Sequence, residues 1–179
     1  MQYWQKLHEY FSEIDARLTG KYDITLIGGA ALILEYNHTR VTYDLDVLNS
    51  GDARKLEEFI AKQKDLNEKY HLPFQIVDGS FFPLSDEYLA KRKKYSKGKF
   101  KHLNIYVLDI YDVIMSKLDR CDARDRDDIQ WLRDNFIIDV DELIKTYKDA
   151  RNNALNTAKV DANFRYILEV VFNVIPSPL

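Results

Sequence analysis

Trp4, Leu7, Phe11, Ile14 and Leu18 recur every three or four positions, so residues 2–18 are predicted as an amphipathic helix closing near Gly20. The pattern then changes. Ile24 to Ile27 is a short, largely apolar run that ends in Gly28-Gly29 and predicts a buried strand over 24–28, with a helix over 30–37 after it. Residues 43–48 alternate in polarity, which is the period of a second strand. Asp52 is placed to cap a helix reaching about Tyr70, Pro73 opens a third strand over 74–78, and LNIYVL predicts a fourth over 103–108. Helical spacing returns with Val113, Ile114 and Leu118, then with Ile129, Leu132 and Phe136. Val140, Leu143, Ile144 and Tyr147 mark a further helix, and Phe164, Ile167, Leu168, Val171 and Phe172 the last. The order predicts an α/β (α+β) fold with a small mixed sheet, flanking helices and a helical C-terminal part. The boundary falls between a core over 1–110 and a helical region over 111–179 packed on it.

Composition narrows the class without changing the fold. Of 179 residues, 46% are hydrophobic and 31% charged, and six glycines and four prolines leave little room for long linkers. No apolar run is long enough to cross a membrane, and the N-terminus lacks the basic-then-apolar profile of a secretion signal. Cys121 is the only cysteine, so an internal disulfide is excluded and a reducing cytoplasm is the expected compartment. The net charge of −3 hides an uneven distribution. Residues 91–101, KRKKYSKGKFK, contain seven Lys or Arg and no acid, a candidate contact for phosphates or RNA. Tyr95 and Phe100 lie within that block and are candidates to stack on bases; a solvated hairpin tip is the plainer alternative.

The candidate chemistry concentrates in residues 24–48, ITLIGGAALILEYNHTRVTYDLDVL. Glycine lets the backbone come close to a ligand, and the amides opening the next helix favour a phosphate. Asp44 and Asp46 flank one leucine, so on a strand they share a face. Two acids facing alike repel unless a cation or solvent separates them, which makes them candidate ligands of Mg²⁺; a water-facing edge strand is the alternative. Arg40 can pair with a phosphate or offset the acids. Downstream, DVIMSKLDRCDARDRDDIQWL places Lys117 and Arg124 seven apart, on one face if a single helix runs through both. Asp125 and Asp128 share a face of their own helix. A charged, solvated helix pair is the bland reading of that segment.

Together these motifs resemble the nucleotidyltransferase superfamily, specifically its AbiEii-like branch. The residues that carry the likeness are Gly28-Gly29-Ala30-Ala31-Leu32, then Arg40-Val41-Thr42-Tyr43-Asp44-Leu45-Asp46, with fourteen residues between Gly29 and Asp44. Lys117 and Arg124-Asp125-Arg126-Asp127-Asp128-Ile129 look similar to that branch's later lysine and acid elements, so the resemblance spans about residues 24–132. It implies a sheet of the nucleotidyltransferase type and transfer of a nucleoside monophosphate from an NTP to an acceptor hydroxyl. It further implies that Asp44 and Asp46 hold Mg²⁺, that Gly28, Gly29, Arg40 and Thr42 bind nucleotide, and that Lys117, Asp125 and Asp128 join the catalytic set, with Lys117 facing the same cleft as Asp46. The sequence departs from the pattern at Ala30, where many members carry a hydroxyl, and in the lack of an evident third metal-supporting acid. Asp78 after FQIV is the candidate for that place, and Asn104 a weaker one. The acceptor classes are RNA reached through Lys91 to Lys101, a protein hydroxyl or a small molecule, and a toxin-like member would have an antitoxin protein as partner. The rivals are an inactive descendant that binds nucleotide or a partner, and an antibiotic-modifying transferase, whose cationic drug the basic block would repel.

Overall fold

A computed structural model describes residues 3–175, and the chain divides into two compact units. The first comprises residues up to Asp78 together with Arg92–Leu108; the second comprises Gly79–Lys91 and the residues from Asp109 on.

The first unit holds the whole sheet. It contains α1 (Tyr3–Arg17), β1 (Tyr22–Leu26), α2 (Gly28–Tyr36), β2 (Leu45–Leu48), α3 (Gly51–Ala61), α4 (Lys64–Tyr70), β3 (Phe74–Val77), β4 (Lys93–Lys94) and β5 (Leu103–Val107). The strand order is β3-β2-β1-β5-β4. β1 pairs antiparallel with β2 and parallel with β5, while β2 and β3 run parallel and β4 runs antiparallel to β5. The sheet is therefore mixed, as its residue pattern predicts. Leu7, Tyr10, Phe11 and Ile14 of α1 are buried, as are Ala30 to Leu34 of α2, and the two helices pack on each other. α2 is apolar nearly all round because it is enclosed on both sides.

Several boundaries differ from expectation. β1 ends at Leu26, two residues early, because Gly28 already opens α2. β2 begins at Leu45, so Asp44 lies in the bend before the strand and not in it. The helix expected from Asp52 to Tyr70 breaks at Lys62 and Gln63 into α3 and α4. Its cap is Ser50, whose hydroxyl accepts from the Ala53 N–H at 3.0 Å. β4 lies inside the basic block, where repeated lysine offers no apolar alternation to reveal a strand.

The second unit contains α5 (Tyr88–Lys91), α6 (Ile110–Ser116), α7 (Ala123–Asn135), α8 (Val140–Ala150), α9 (Thr157–Tyr166) and a π-helical turn over Ile167–Val171. Each of α6, α7 and α8 starts at an aspartate cap, Asp109, Asp122 and Asp139, which accepts first-turn backbone N–H groups. Leu143, Tyr147, Phe164, Ile167 and Leu168 fill the interior, with the Tyr147 and Phe164 rings stacked at 3.8 Å. No helix among the described residues is long and apolar enough to cross a membrane.

Candidate active site

The turn from β1 into α2 brings the first motif together. Gly28 has φ +65°, a conformation that glycine adopts without strain. A Cβ at Gly28 would stand 2.7 Å from Asp46 Oδ2, and one at Gly29 would stand 2.6 Å from Thr42 Oγ1 and 3.5 Å from Arg40 Nε. The two glycines thus make room for the side chains of the Arg40-to-Asp46 segment. β2 is pinned beside the turn by the Ile27 N–H, which donates to the Asp46 carbonyl at 3.0 Å, and by pairing of Leu26 with Val47. Leu45 between the two acids is fully buried, whereas Asp44 and Asp46 remain half-buried. The Thr42 hydroxyl donates to Asp44 Oδ1 at 3.1 Å. Asp46 therefore lies against the first glycine, and Asp44, through Thr42, against the second.

The helix that opens here gets no side-chain cap from its flanking residue, Ile27. Its first N–H groups and the positive end of the helix dipole point at the same glycine turn. The Arg40 backbone N–H donates to His38 Nδ1 at 2.9 Å, which shapes the loop carrying the guanidinium toward Gly29. Tyr3 was not anticipated from sequence. Its hydroxyl donates to the Thr42 carbonyl, so α1 braces the loop from outside. Burial and the nearby Asp44 raise the Tyr3 phenol above its usual value, burial being the larger effect.

Asp78 does not join this group. The β2–β3 register sets Asp46 opposite Gln75 and Leu48 opposite Val77, so Asp78 lies three positions beyond Asp46's partner, past the end of β3. Among the described residues no cluster of three or more His, Cys, Asp or Glu could hold a metal ion. The neighbour that the register does give Asp46 is Gln75, an exposed neutral side chain. Parallel pairing aligned by the FQIV and LDVL runs is the signal that could have singled it out. Asn104 is also elsewhere: it pairs with Asp23 at the opposite end of β1 from the glycines, and its amide donates to Asp23 Oδ1 at 2.7 Å.

Lys117, Asp125 and Asp128 form a cluster of their own in the second unit. Lys117 is the C-terminal cap residue of α6, only 6% exposed. Its ammonium donates to Asp128 Oδ2 at 2.6 Å and to Asp125 Oδ1 at 3.2 Å. Arg120 adds two hydrogen bonds to Asp125, from Nε at 2.8 Å and from a terminal nitrogen at 2.9 Å. Burial pushes the Asp125 carboxyl up, but Arg120 and Lys117 together outweigh it and hold the group below the usual carboxylate range. Arg124 does not share a face with Lys117. The chain between Ser116 and Ala123 is not helical, Cys121 takes φ +48°, and Arg124 is exposed.

The basic block is partly absorbed into the fold. Tyr95 is 3% exposed and donates its backbone N–H to the Ile105 carbonyl at 2.8 Å, so its ring is core and cannot stack on a base. Arg92 lies over the Tyr106 ring at 3.9 Å and donates to the Thr25 hydroxyl at 2.9 Å. Lys91 faces Glu87, and Lys97 donates to Asn37 Oδ1 at 2.7 Å. Lys93, Lys94, Lys99 and Lys101 are exposed.

The glycine turn at the start of α2 thus faces Asp46 directly and Asp44 through Thr42. The family model that matches residues 5–171 is described as a nucleotidyltransferase of unknown function (DUF6036), and the chain belongs to that family. No curated protein and no solved structure matches it.

Proposed function

We propose that the protein moves a nucleoside monophosphate from an NTP to an acceptor hydroxyl with the help of Mg²⁺, and that it lies near the AbiEii-like branch of the superfamily. The observation that carries this reading is the meeting of Asp46 with Gly28 and of Thr42 and Arg40 with Gly29 at the start of α2. The donor set fits the metal. Mg²⁺ favours hard oxygen ligands and is commonly held by one or two carboxylates with water and substrate phosphates completing the shell, which two half-buried aspartates can provide. Bound there, the ion would offset charge on the triphosphate and orient it.

The protein's own groups do the rest. Gly28 and Gly29 admit the β- and γ-phosphates to the backbone, and the first amides of α2 donate to them. Arg40 neutralises phosphate charge. Thr42 fixes the Asp44 carboxylate, and Tyr3 fixes the Thr42 backbone. The acceptor hydroxyl oxygen bonds to the α-phosphorus and loses its proton to solvent, the bond from that phosphorus to the bridging oxygen breaks, and pyrophosphate leaves. The exposed lysines of the basic block favour RNA as acceptor, and a toxin-like role with an antitoxin protein is consistent with the branch.

Isothermal titration of Mg²⁺ and a non-hydrolysable NTP into the parent chain and into Asp44→Asn with Asp46→Asn tests the reading. The double variant is expected to lose metal-dependent binding; unchanged affinity would remove the site assignment. Gln75 beside Asp46 favours a second reading, a nucleotide-binding member without turnover. Pyrophosphate release by the parent chain separates the two.

A further inference from the structure

A row of rings runs along α1 outside the acid pair. Phe100, in the basic block, lies 5.6 Å from the His8 ring, and His8 lies 6.5 Å from Trp4 one helical turn earlier. Trp4 and His8 are four apart, so they share one face of the helix. Trp4 is 42% exposed, while His8 and Phe100 are half-buried. Buried Tyr95 backs Phe100 from inside at 6.4 Å. Beside Trp4, Tyr3 reaches the Thr42 carbonyl, and the Thr42 hydroxyl reaches Asp44. Ring contacts run from Phe100 to Trp4, hydrogen bonds run from Tyr3 to Asp44, and the α1 backbone joins the two sets at Trp4 and Tyr3, all within the first unit. Positive charge accompanies the row at both ends. Lys99 and Lys101 are exposed beside Phe100, and the Lys6 ammonium stands 5.2 Å from the centre of the Tyr3 ring.

We propose that this row is the track of a single-stranded RNA acceptor. A base stacks on Trp4, its neighbours lie against the exposed edges of His8 and Phe100, and Lys6, Lys99 and Lys101 meet the phosphates. The terminal hydroxyl of the strand then arrives at Asp44 and Asp46. Rings interleaved with ammonium groups match a chain in which bases alternate with phosphates, and stacking of this kind is tolerant of sequence. A protein segment has no such alternation. The inference rests on the nucleotidyl-transfer reading and names its acceptor.

The chain has two tryptophans, so Trp131→Phe leaves Trp4 as the only one. In that background, a short single-stranded oligouridylate is expected to quench tryptophan fluorescence as it binds, which reports stacking directly. Trp4→Phe keeps a ring and is expected to hold RNA affinity within about twofold, whereas Trp4→Ala weakens it by roughly 5- to 100-fold. Mg²⁺-dependent NTP affinity stays at the parent value in both, because Trp4 is outside the metal site. An unquenched Trp4, with parent RNA affinity in Trp4→Ala, overturns the track. So does a parent chain that binds no RNA, which would leave the rings to a protein partner. Failure of the transfer reading looks different: the parent then binds no NTP with Mg²⁺ while the RNA-induced quench persists.

Discussion

Asp44 and Asp46 in the first unit and Asp125 and Asp128 in the second are each a close-spaced pair of aspartates, yet their surroundings differ. The first pair is half-buried at a glycine turn, where the Thr42 hydroxyl bonds Asp44 and Asp46 lies against Gly28. The second is almost fully buried and closes on Lys117 and Arg120 at hydrogen-bond distance. Both buried acids there already have cationic partners before any ligand arrives, and Arg120 also meets Asp122. Burying charge is costly unless every partner is in place. Half-buried acids packed against a glycine turn would suit the cation and phosphate of the proposed reaction. Acids locked on an internal ammonium hold α6 against α7 and fix where Lys117 points.

The largest expected effect follows from that contrast. Lys117→Met leaves Asp128 and Asp125 buried without the ammonium between them, which should destabilise the fold by about 3–5 kcal/mol in urea unfolding. Asp44→Asn or Asp46→Asn should change stability by less than about 1 kcal/mol, because both groups keep solvent. If Lys117→Met unfolds no more easily than Asp44→Asn, the two clusters are not built differently and the comparison fails.

The glycines sharpen the same contrast at a smaller scale. Gly28→Ala puts a Cβ at φ +65° and 2.7 Å from Asp46 Oδ2. A cost of about 1–3 kcal/mol in stability is expected from the left-handed backbone and the displaced carboxylate, with loss of Mg²⁺-dependent NTP binding. Gly51 opens α3 with nothing within 4 Å of an added Cβ, so Gly51→Ala should stabilise by about 0.4–1 kcal/mol and leave NTP binding alone. Thermal melts and calorimetry on the pair check both. Equal outcomes at the two positions would mean that Gly28 is ordinary chain.

What could be read from the sequence was whatever depends on local pattern. Apolar runs, alternation and a proline mark the sheet strands β1, β2, β3 and β5, spacing of three or four marks the principal helices, and the glycine pair with the two alternating acids marks residues that the fold does bring together. The one-residue spacing of Asp44 and Asp46 matches strand alternation, but Asp44 is in a bend and is aimed by Thr42 instead. Asp78 failed as a partner because strand register is a property of two strands together. FQIV alone does not say that Gln75, and not Asp78, falls beside Asp46. Tyr3 was invisible for a similar reason: 39 residues separate it from Thr42, and no local signal links them. Tyr95 looked like a surface ring because lysines flank it, yet its backbone joins β5 and turns the ring inward.

The smallest effect concerns a third kind of aspartate in the second unit, buried like Asp125 but held, among the described residues, by Ser85 and not by a hydrogen-bonded cation. Asp112 lies in the first turn of α6 and is completely buried. Its Oδ1 accepts from the Ser85 N–H at 2.9 Å, and its Oδ2 meets the Ser85 hydroxyl at 3.1 Å. Burial pushes its carboxyl above the usual range; the Ser85 N–H pulls it back, Asp109 pushes it further up, and Lys91 offsets part of that. The folded chain therefore keeps a proton at pH values where the unfolded chain has already released it. Stability from this group is highest below the unfolded value, about 3.9, and falls as pH rises toward the folded one, after which it is level. Asparagine removes the titration and preserves both contacts, since its oxygen accepts from the Ser85 N–H and its amide donates to the Ser85 hydroxyl. Asp112→Asn should match the parent in urea unfolding at low pH and exceed it by about 1 kcal/mol or less near neutrality. Parallel stability curves for the two proteins across that range would show that Asp112 stays ionised when folded, and that lack of a hydrogen-bonded cation is not what distinguishes it from Asp125.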